Sequence, residues 1–347
     1  MRTTLFVLWM VIGCSAYCQD SIYLGKRITI YSQNLQEQRG VMVSLPADYT
    51  NPKYPGARYP VIYLLDAEWN FVSFTGIVQA LSKGPYARMP QAIVVGIVNT
   101  NRTRDLTPTN GSRTAYFDNT SQLFKESGGN ANFIKFLTKE LRAYVDSAYR
   151  TNGFNLLNGH SFGGLTATNL LLHYPGAFNA YIIIDPSLWW DNGLMVQDAQ
   201  ALFSKTDFKN THIYLALAHK EIIPQDTTTD QIESIKAFHG LLKQQKPNGL
   251  GWRFKYYENE DHGTIPIPAA FDGLKYIFDG HMVHAKQAVA DSTLVDLHFQ
   301  KLSERLGFPF KPSQAYLDWM ADFCRAIGKP VMGDFYEGKR AQYYPVK

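Results

Sequence analysis

A chain of 347 residues with 45% hydrophobic and 14% aromatic content can bury one large core, or a core with a small appendage, and is too apolar to be a disordered segment. Its net charge of +4 is modest and its Lys and Arg residues are scattered, which argues against the concentrated basic patch of a nucleic-acid binder. After the N-terminus, no apolar run approaches the ~20 residues that a membrane-spanning helix requires.

The first residues read as an address. Arg2 supplies a positive start, LFVLWMVI from Leu5 to Ile12 an apolar stretch too short to span a bilayer, and GCSAYCQD a small-residue region. Ala16 and Cys18 stand just before Gln19 as signal-peptidase cleavage requires, so residues 1–18 are expected to be removed, leaving a periplasmic or secreted protein. The run Val11-Ile12-Gly13-Cys14 also resembles a bacterial lipobox, and on that route Cys14 would carry a lipid anchor and the product would be an outer-membrane lipoprotein. Either way Cys324 is the lone cysteine of the mature body. With no CxxC pair, neither a structural zinc site nor a redox pair is expected, and Cys324 reads as a small apolar core residue.

In chain order, KRITIYS and RGVMVSLP flank a polar turn and suggest an antiparallel hairpin. VIYLLD and PQAIVVGIVNT follow as short apolar runs of buried strands. A helix is expected over 131–148, then the strand FNLLN, then a helix through LTATNLLLHY that stops at Pro175. Further strands are AYIIID, HIYLALA and GWRFKYYE, with helical QIESIKAFHGLLKQQ between the last two. Strands alternating with helices imply a mostly parallel sheet covered on both faces, an α/β class. This body is assigned to residues 19–280. From 281 to 347 no strand-like run occurs; FQKLSERLGFPF and QAYLDWMADFCRAIG read as amphipathic helices of a small extension.

The informative motif is Gly159-His160-Ser161-Phe162-Gly163, followed by Gly164. Between a strand and a helix, such a run forms a nucleophile elbow, a turn so sharp that the serine backbone is strained and its neighbours must be small. A serine hydroxyl needs a base, and in this fold the order is Ser, acid, His, with the histidine after the last strand. His262, in Asp261-His262-Gly263 after WRFKYYENE, fills that place; His219 is its rival but precedes the last strand. The acid is sought past HIYLALA, where Glu221 comes first, then Asp226 and Asp230. Asp185, ending AYIIID, reads as more structural, and a Ser–His dyad stays open. For the oxyanion, one donor should be the backbone amide of Phe162 and a second should come from the loop around Ala67 and Glu68.

The stretches YPVIYLLDAEWNF, VVGIVNTNRTRDLTPT, NGHSFGG, DPSLWWDN and YYENEDHGTIP, in this order over roughly residues 20–280, resemble the putative-esterase family, and within it the siderophore (enterobactin) esterase-like branch. The resemblance implies an α/β-hydrolase fold and ester cleavage with no cofactor or metal. It also implies an oxyanion amide two residues past the aspartate of LLD, here Glu68. Ala67 stands where that family usually has glycine, and Asp185 where serine is common.

Two pairs of residues could shape a substrate pocket. Trp189 and Trp190 follow AYIIID at the edge where open sheets bind ligands, either as an aromatic wall or as cover for the sheet edge. Arg102 and Arg104 could hold an anionic substrate, or pair with Asp105 or another carboxylate. The reading is a serine esterase working through an acyl-enzyme on a small-molecule ester, such as a siderophore lactone or a plant-polymer ester. An acyltransferase of the same fold, or a non-catalytic binding protein with an aromatic pocket, are the alternatives.

Overall fold

The computed structural model describes residues 23–111, 124–219 and 229–345. The expected signal segment, Cys14 included, lies outside the described residues, as do Glu221 and Asp226. Eight strands form one sheet: β1 (Lys26–Ser32), β2 (Glu37–Ser44), β3 (Tyr59–Leu64), β4 (Ile93–Ile97), β5 (Thr151–His160), β6 (Ala180–Ile184), β7 (Thr211–Ala218) and β8 (Leu250–Tyr257). The order across the sheet is β1-β2-β4-β3-β5-β6-β7-β8. The β1–β2 hairpin and the β2–β4 pair are antiparallel, and every other pairing is parallel. All strands named from the sequence are present.

The helices are α1 (Ala67–Ser82), α2 (Arg102–Leu106), α3 (Asn130–Lys135), α4 (Arg142–Ala148), α5 (Phe162–His173), α6 (Trp190–Leu202), α7 (Thr229–Gln245), α8 (Pro266–Ile277), α9 (Ala285–Ala290), α10 (Leu294–Leu306), α11 (Gln314–Ala326) and α12 (Pro330–Tyr343). The helix expected over 131–148 is α3 and α4 joined through a π-helical stretch, Phe136–Leu141. Successive residues of one strand feed opposite cores, as the two-residue period of a strand requires. Val61 and Tyr63 of β3 pack with Phe133, Leu157 and Leu170 on one side, while Ile62 and Leu64 pack with Phe154, Leu156 and Leu274 on the other. Strands β3, β4, β6 and β7 are buried along their whole lengths, hence their unbroken apolar sequences.

The C-terminal region holds four helices where the sequence reading found two. Pro330 opens α12 at a position where the missing N–H costs nothing, but Gly333 and Gly338 dilute its apolar pattern. These helices are part of the main body: Leu302, Leu317, Cys324 and Tyr336 belong to the same buried cluster as Ile62 and Leu64. Among the described residues, no helix is long and apolar enough to cross a membrane.

The parallel strands all point the same way, so their C-terminal ends share one edge. Asp66 follows β3, Arg102 follows β4, Ser161 follows β5 and Asp185 follows β6. His262 sits in the turn between β8 and α8. That edge is where the chemistry collects.

Candidate active site

Ser161 stands between β5 and α5 with φ 60° and ψ −119°, a conformation that costs a non-glycine residue roughly 1–3 kcal/mol. The turn is held by two backbone bonds: Ser161 N–H donates to Ile184 O (3.1 Å), and Ser187 N–H donates to Ser161 O (3.1 Å). The flanking glycines are required by contact. A Cβ on Gly159 would lie 2.2 Å from Gly163 O, and one on Gly164 would lie 2.8 Å from Pro186 Cβ. The elbow expected from the sequence is therefore present in its geometry. Its hydroxyl, Ser161 Oγ, lies 3.4 Å from that of the buried Ser187.

His262 is presented by a short turn built by its own neighbour. Asp261 Oδ1 accepts from Gly263 N (2.7 Å) and Thr264 N (2.9 Å), while Asp261 N–H donates to Thr264 Oγ1 (3.0 Å). These amide bonds hold the Asp261 carboxyl below its ordinary value. The imidazole of His262 packs against that of His160, the residue before the serine, with ring centroids 4.4 Å apart. His160 is pushed down to about 4, first by burial and then by the charge of His262. It therefore stays neutral and adds no positive charge beside its neighbour. His219, the rival, follows β7, donates its N–H to Tyr257 O and Glu260 O, and sits beside the Tyr256 hydroxyl.

Among the described residues the carboxylate that meets His262 is Asp185, which the sequence reading took as more structural; the expected Glu221, and Asp226 after it, lie outside the described residues. His262 Nδ1–H donates to Asp185 Oδ2 at 2.6 Å. Of the loop carboxylates considered, Asp230 is described and is exposed on α7. Asp185 reaches the imidazole because its backbone turns sharply at the end of β6, with φ 39°. Asp185 N–H still donates to Ala216 O (2.8 Å), while its side chain crosses the end of β7 and accepts from Ala218 N (3.0 Å) at Oδ1. A residue that follows β6 thus reaches past the end of β7 to the imidazole.

A residue that the sequence reading passed over completes this arrangement. Gln231, in the first turns of α7, donates through Nε2 to both Asp185 O and Asp185 Oδ2, each at 2.9 Å, and lies 3.3 Å from His262 Nδ1. Its Oε1 accepts from Trp189 Nε1 at 3.0 Å. Nothing in QIESIKAF marks this glutamine, because a helix presents a polar residue at that position for many reasons.

The two tryptophans are mostly interior. Trp190 is 1% exposed, donates from Nε1 to Thr109 Oγ1 (3.1 Å), and packs edge-on against Phe124 and Phe162. Gly111 leaves room for it, since a Cβ there would lie 2.5 Å from the indole. Trp190 therefore covers the sheet edge and Trp189 ties that cover to Gln231; the wall reading is weakened for Trp190. The arginines diverge. Arg104 is taken up by Glu37 (2.7 Å) and Asp105 (2.7 Å), the latter also pairing with the fully buried Arg39 at 2.5 Å, so the substrate-facing reading of Arg104 gives way to the structural one. Arg102 forms a bidentate pair with Asp66 (2.7 and 3.0 Å) and lies over the rings of Phe162 and Trp69, at the rim of the edge that carries Ser161.

Phe162 and Glu68 occupy the first turns of α5 and α1, where backbone N–H groups have no acceptor within their own helix. The Glu68 side chain is turned to Asn99, accepting from its Nδ2 at 2.7 Å, which leaves the backbone as the part of Glu68 available to a ligand.

A mostly parallel sheet with a strained serine, a histidine and an aspartate gathered at its C-terminal edge defines an α/β-hydrolase. The model of the family described as Putative esterase matches residues 32–264, about two thirds of the chain, and the chain belongs to that family. It is a carboxylic ester hydrolase. It is 28% identical over 247 residues to the ferri-bacillibactin esterase BesA of Bacillus subtilis, covering 68% of this chain and 83% of that protein. Similarity to the siderophore enterobactin esterase of Emericella nidulans is 26% over 43% of this chain and 56% of the relative. Among solved structures, an IroE-like serine hydrolase from Shewanella oneidensis superposes with a TM-score of 0.83 at 31% identity, over 92% of this chain and 99% of the other.

Proposed function

We propose that the chain hydrolyses siderophore esters through an acyl-enzyme on Ser161, with His262 as general base and Asp185 as the acid that orients it. The observation carrying this reading is the 2.6 Å bond from His262 Nδ1 to Asp185 Oδ2 beside the strained serine. Because a carboxylate only accepts, that bond puts the proton on Nδ1 and leaves Nε2 free to take the proton of Ser161 Oγ. The serine oxygen then attacks the ester carbonyl. The oxyanion that forms is met by the amides of Phe162 and Glu68, each such donor being worth roughly 3–4 kcal/mol. The imidazolium next protonates the leaving alcohol, and water, activated in the same way, releases the acid. Two named relatives that act on siderophores support the substrate class. The N-terminal pattern from Arg2 to Gln19 supports export to the periplasm or the exterior, with a lipid on Cys14 as the alternative end.

Purified protein should cleave the lactone bonds of bacillibactin or enterobactin, with linear products followed by chromatography, and should be labelled by a fluorophosphonate probe. Ser161→Ala should lose both properties while its circular dichroism is unchanged. Hydrolysis by that variant at the wild-type rate would overturn the mechanism. Cleavage of p-nitrophenyl esters without cleavage of any siderophore would overturn the substrate class.

A further inference from the structure

The two amides assigned to the oxyanion belong to separate segments: Phe162 opens α5 after β5, and Glu68 lies in the first turn of α1 after β3. Strands β3 and β5 pair as far as Leu64 and Asn158, and Leu65 N–H donates to Asn158 O at 3.1 Å. Beyond that bond the two segments share no backbone hydrogen bond among the described residues. Asp66, where α1 begins, has φ 55° and ψ 43° and no side-chain cap, a left-handed conformation that its surroundings must hold. Donors to an oxyanion act only when fixed before the reaction, so something must set one segment against the other.

The stretch after β4 does this. Asp66 is 2% exposed; its Oδ1 accepts from Arg102 Nε (2.7 Å) and Asn99 Nδ2 (2.6 Å), and its Oδ2 accepts from Arg102 Nη2 (3.0 Å). Asn99 Nδ2 also donates to Glu68 Oε1 (2.7 Å), and Asn99 N–H donates to Glu68 Oε2 (3.3 Å). One amide side chain thereby ties Asp66 to the residue that carries the second oxyanion donor. On the other side the ion pair bears on the elbow helix. A Cβ on Gly163 would lie 3.3 Å from Asp66 Oδ2, and the guanidinium carbon of Arg102 lies 5.2 Å from the Phe162 ring centre.

Charge matters here as well as shape. A carboxylate between two oxyanion donors opposes the negative charge that the transition state develops, unless a cation cancels it. A bidentate Arg–carboxylate pair both cancels the charge and fixes its direction. We infer that Asp66, Arg102 and Asn99 are positioning residues, which hold the Glu68 amide in place relative to that of Phe162 and neutralise the Asp66 carboxylate beside the oxyanion. This inference rests on the serine-hydrolase mechanism proposed above. It gives Arg102 a task that needs no contact with substrate.

The test measures hydrolysis of p-nitrophenyl acetate by the full chain and its inhibition by trifluoroacetone, a ketone that forms an oxyanion on the serine. Both probes are uncharged, so an arginine that only bound anionic substrates would not be felt. Arg102→Gln leaves Asp66 without its cation and should lower kcat by about 100-fold with KM nearly constant, the scale of a misplaced reacting group. Its affinity for trifluoroacetone should fall by a similar factor. Asn99→Ala should lower kcat by about tenfold, the scale of one hydrogen bond to a charged group. In the double variant Asp66→Asn/Arg102→Gln the uncompensated charge is gone, and about tenfold of the lost kcat should return. Rates are taken well below the Tm of each variant, since a purely structural role lowers Tm and leaves kcat of the folded chain unchanged. If Arg102→Gln does not fold, Asn99→Ala carries the test. Wild-type kcat in either single variant, a rise in KM alone, unchanged inhibition by trifluoroacetone, or a double variant no faster than Arg102→Gln would each overturn the inference, while an active wild type and an inert Ser161→Ala variant would leave the serine mechanism standing. A wild-type chain inert to both probes would instead bring down that mechanism, and this inference with it.

Discussion

Asp185 and His262 meet across the end of a strand that neither belongs to: the carboxylate leaves β6, passes over the end of β7, and takes the Nδ1 proton of a histidine presented beyond β8 at 2.6 Å. The Ala218 amide at the end of β7 donates to the other carboxylate oxygen at 3.0 Å, so the strand that is crossed also fixes the crossing.

Asp185→Asn should therefore reduce kcat by up to ~10⁴ with little change in KM, because an amide fixes the wrong imidazole tautomer. Glu221→Gln and Asp226→Asn should stay close to wild type. Steady-state kinetics on p-nitrophenyl acetate decides; an active Asp185→Asn enzyme would return the role to the loop after β7 or to a Ser–His dyad.

Gln231 should act on turnover without touching substrate. Its Nε2 donates to the charged Asp185, and hydrogen bonds to charged groups contribute about 1.5–3 kcal/mol, so Gln231→Leu should lower kcat by roughly 10–100-fold with KM nearly constant. Gln231→Glu places a second carboxylate against Asp185 and should be the more damaging of the two. A leucine variant with wild-type kcat would reduce Gln231 to packing.

Asp105→Asn should test stability apart from catalysis. Arg39 and Asp105 are both 0% exposed and 2.5 Å apart, and losing one partner of a buried pair costs ~3–5 kcal/mol. Glu37 still reaches Arg39 at 2.8 Å, so the lower end of that range is expected, read as a fall in Tm or in the denaturant midpoint. Activity of the folded fraction should persist, since the Asp105 carboxylate is taken up by Arg39 and Arg104 and makes no contact with Ser161, His262 or Asp185.

Stability should also fall in mild acid on account of His160. Its folded value, about 4, is below the ordinary 6.5, so the unfolded chain binds the proton first. The contribution of the neutral ring is complete above pH 6.5 and is lost as pH falls towards 4; at ~1.4 kcal/mol per unit it amounts to at most about 3 kcal/mol. His160→Gln should flatten this part of the pH–Tm curve. An unchanged slope would remove His160 as its cause.

The sheet and the elbow were legible because they rest on local rules. Buried parallel strands are continuous apolar runs, and the elbow needs its glycines for contacts made within a few residues, as Gly159 against Gly163 shows. Helix α1 was not readable: Asp66 begins it in a left-handed conformation without a side-chain cap, and its aromatic, β-branched sequence carries no strong helical signature. Asp185 was passed over as a partner of His262 for a different reason. Chain order puts a carboxylate after β7, but reach is decided by the φ of Asp185 and by how two neighbouring strands end, which no spacing reports. Gln231 was invisible in the same sense, since its partners lie 42 and 46 residues away.

The helices from Ala285 to Tyr343 extend the buried cluster on one side of the sheet, with Tyr336 buried and its hydroxyl donating to Ala288 O at 2.9 Å. They also follow every strand of the sheet in chain order. The cluster that holds Ile62, Leu64, Phe154 and Leu156 is therefore completed by residues that come after the sheet, and a chain cut before Ala285 would leave part of it open to water.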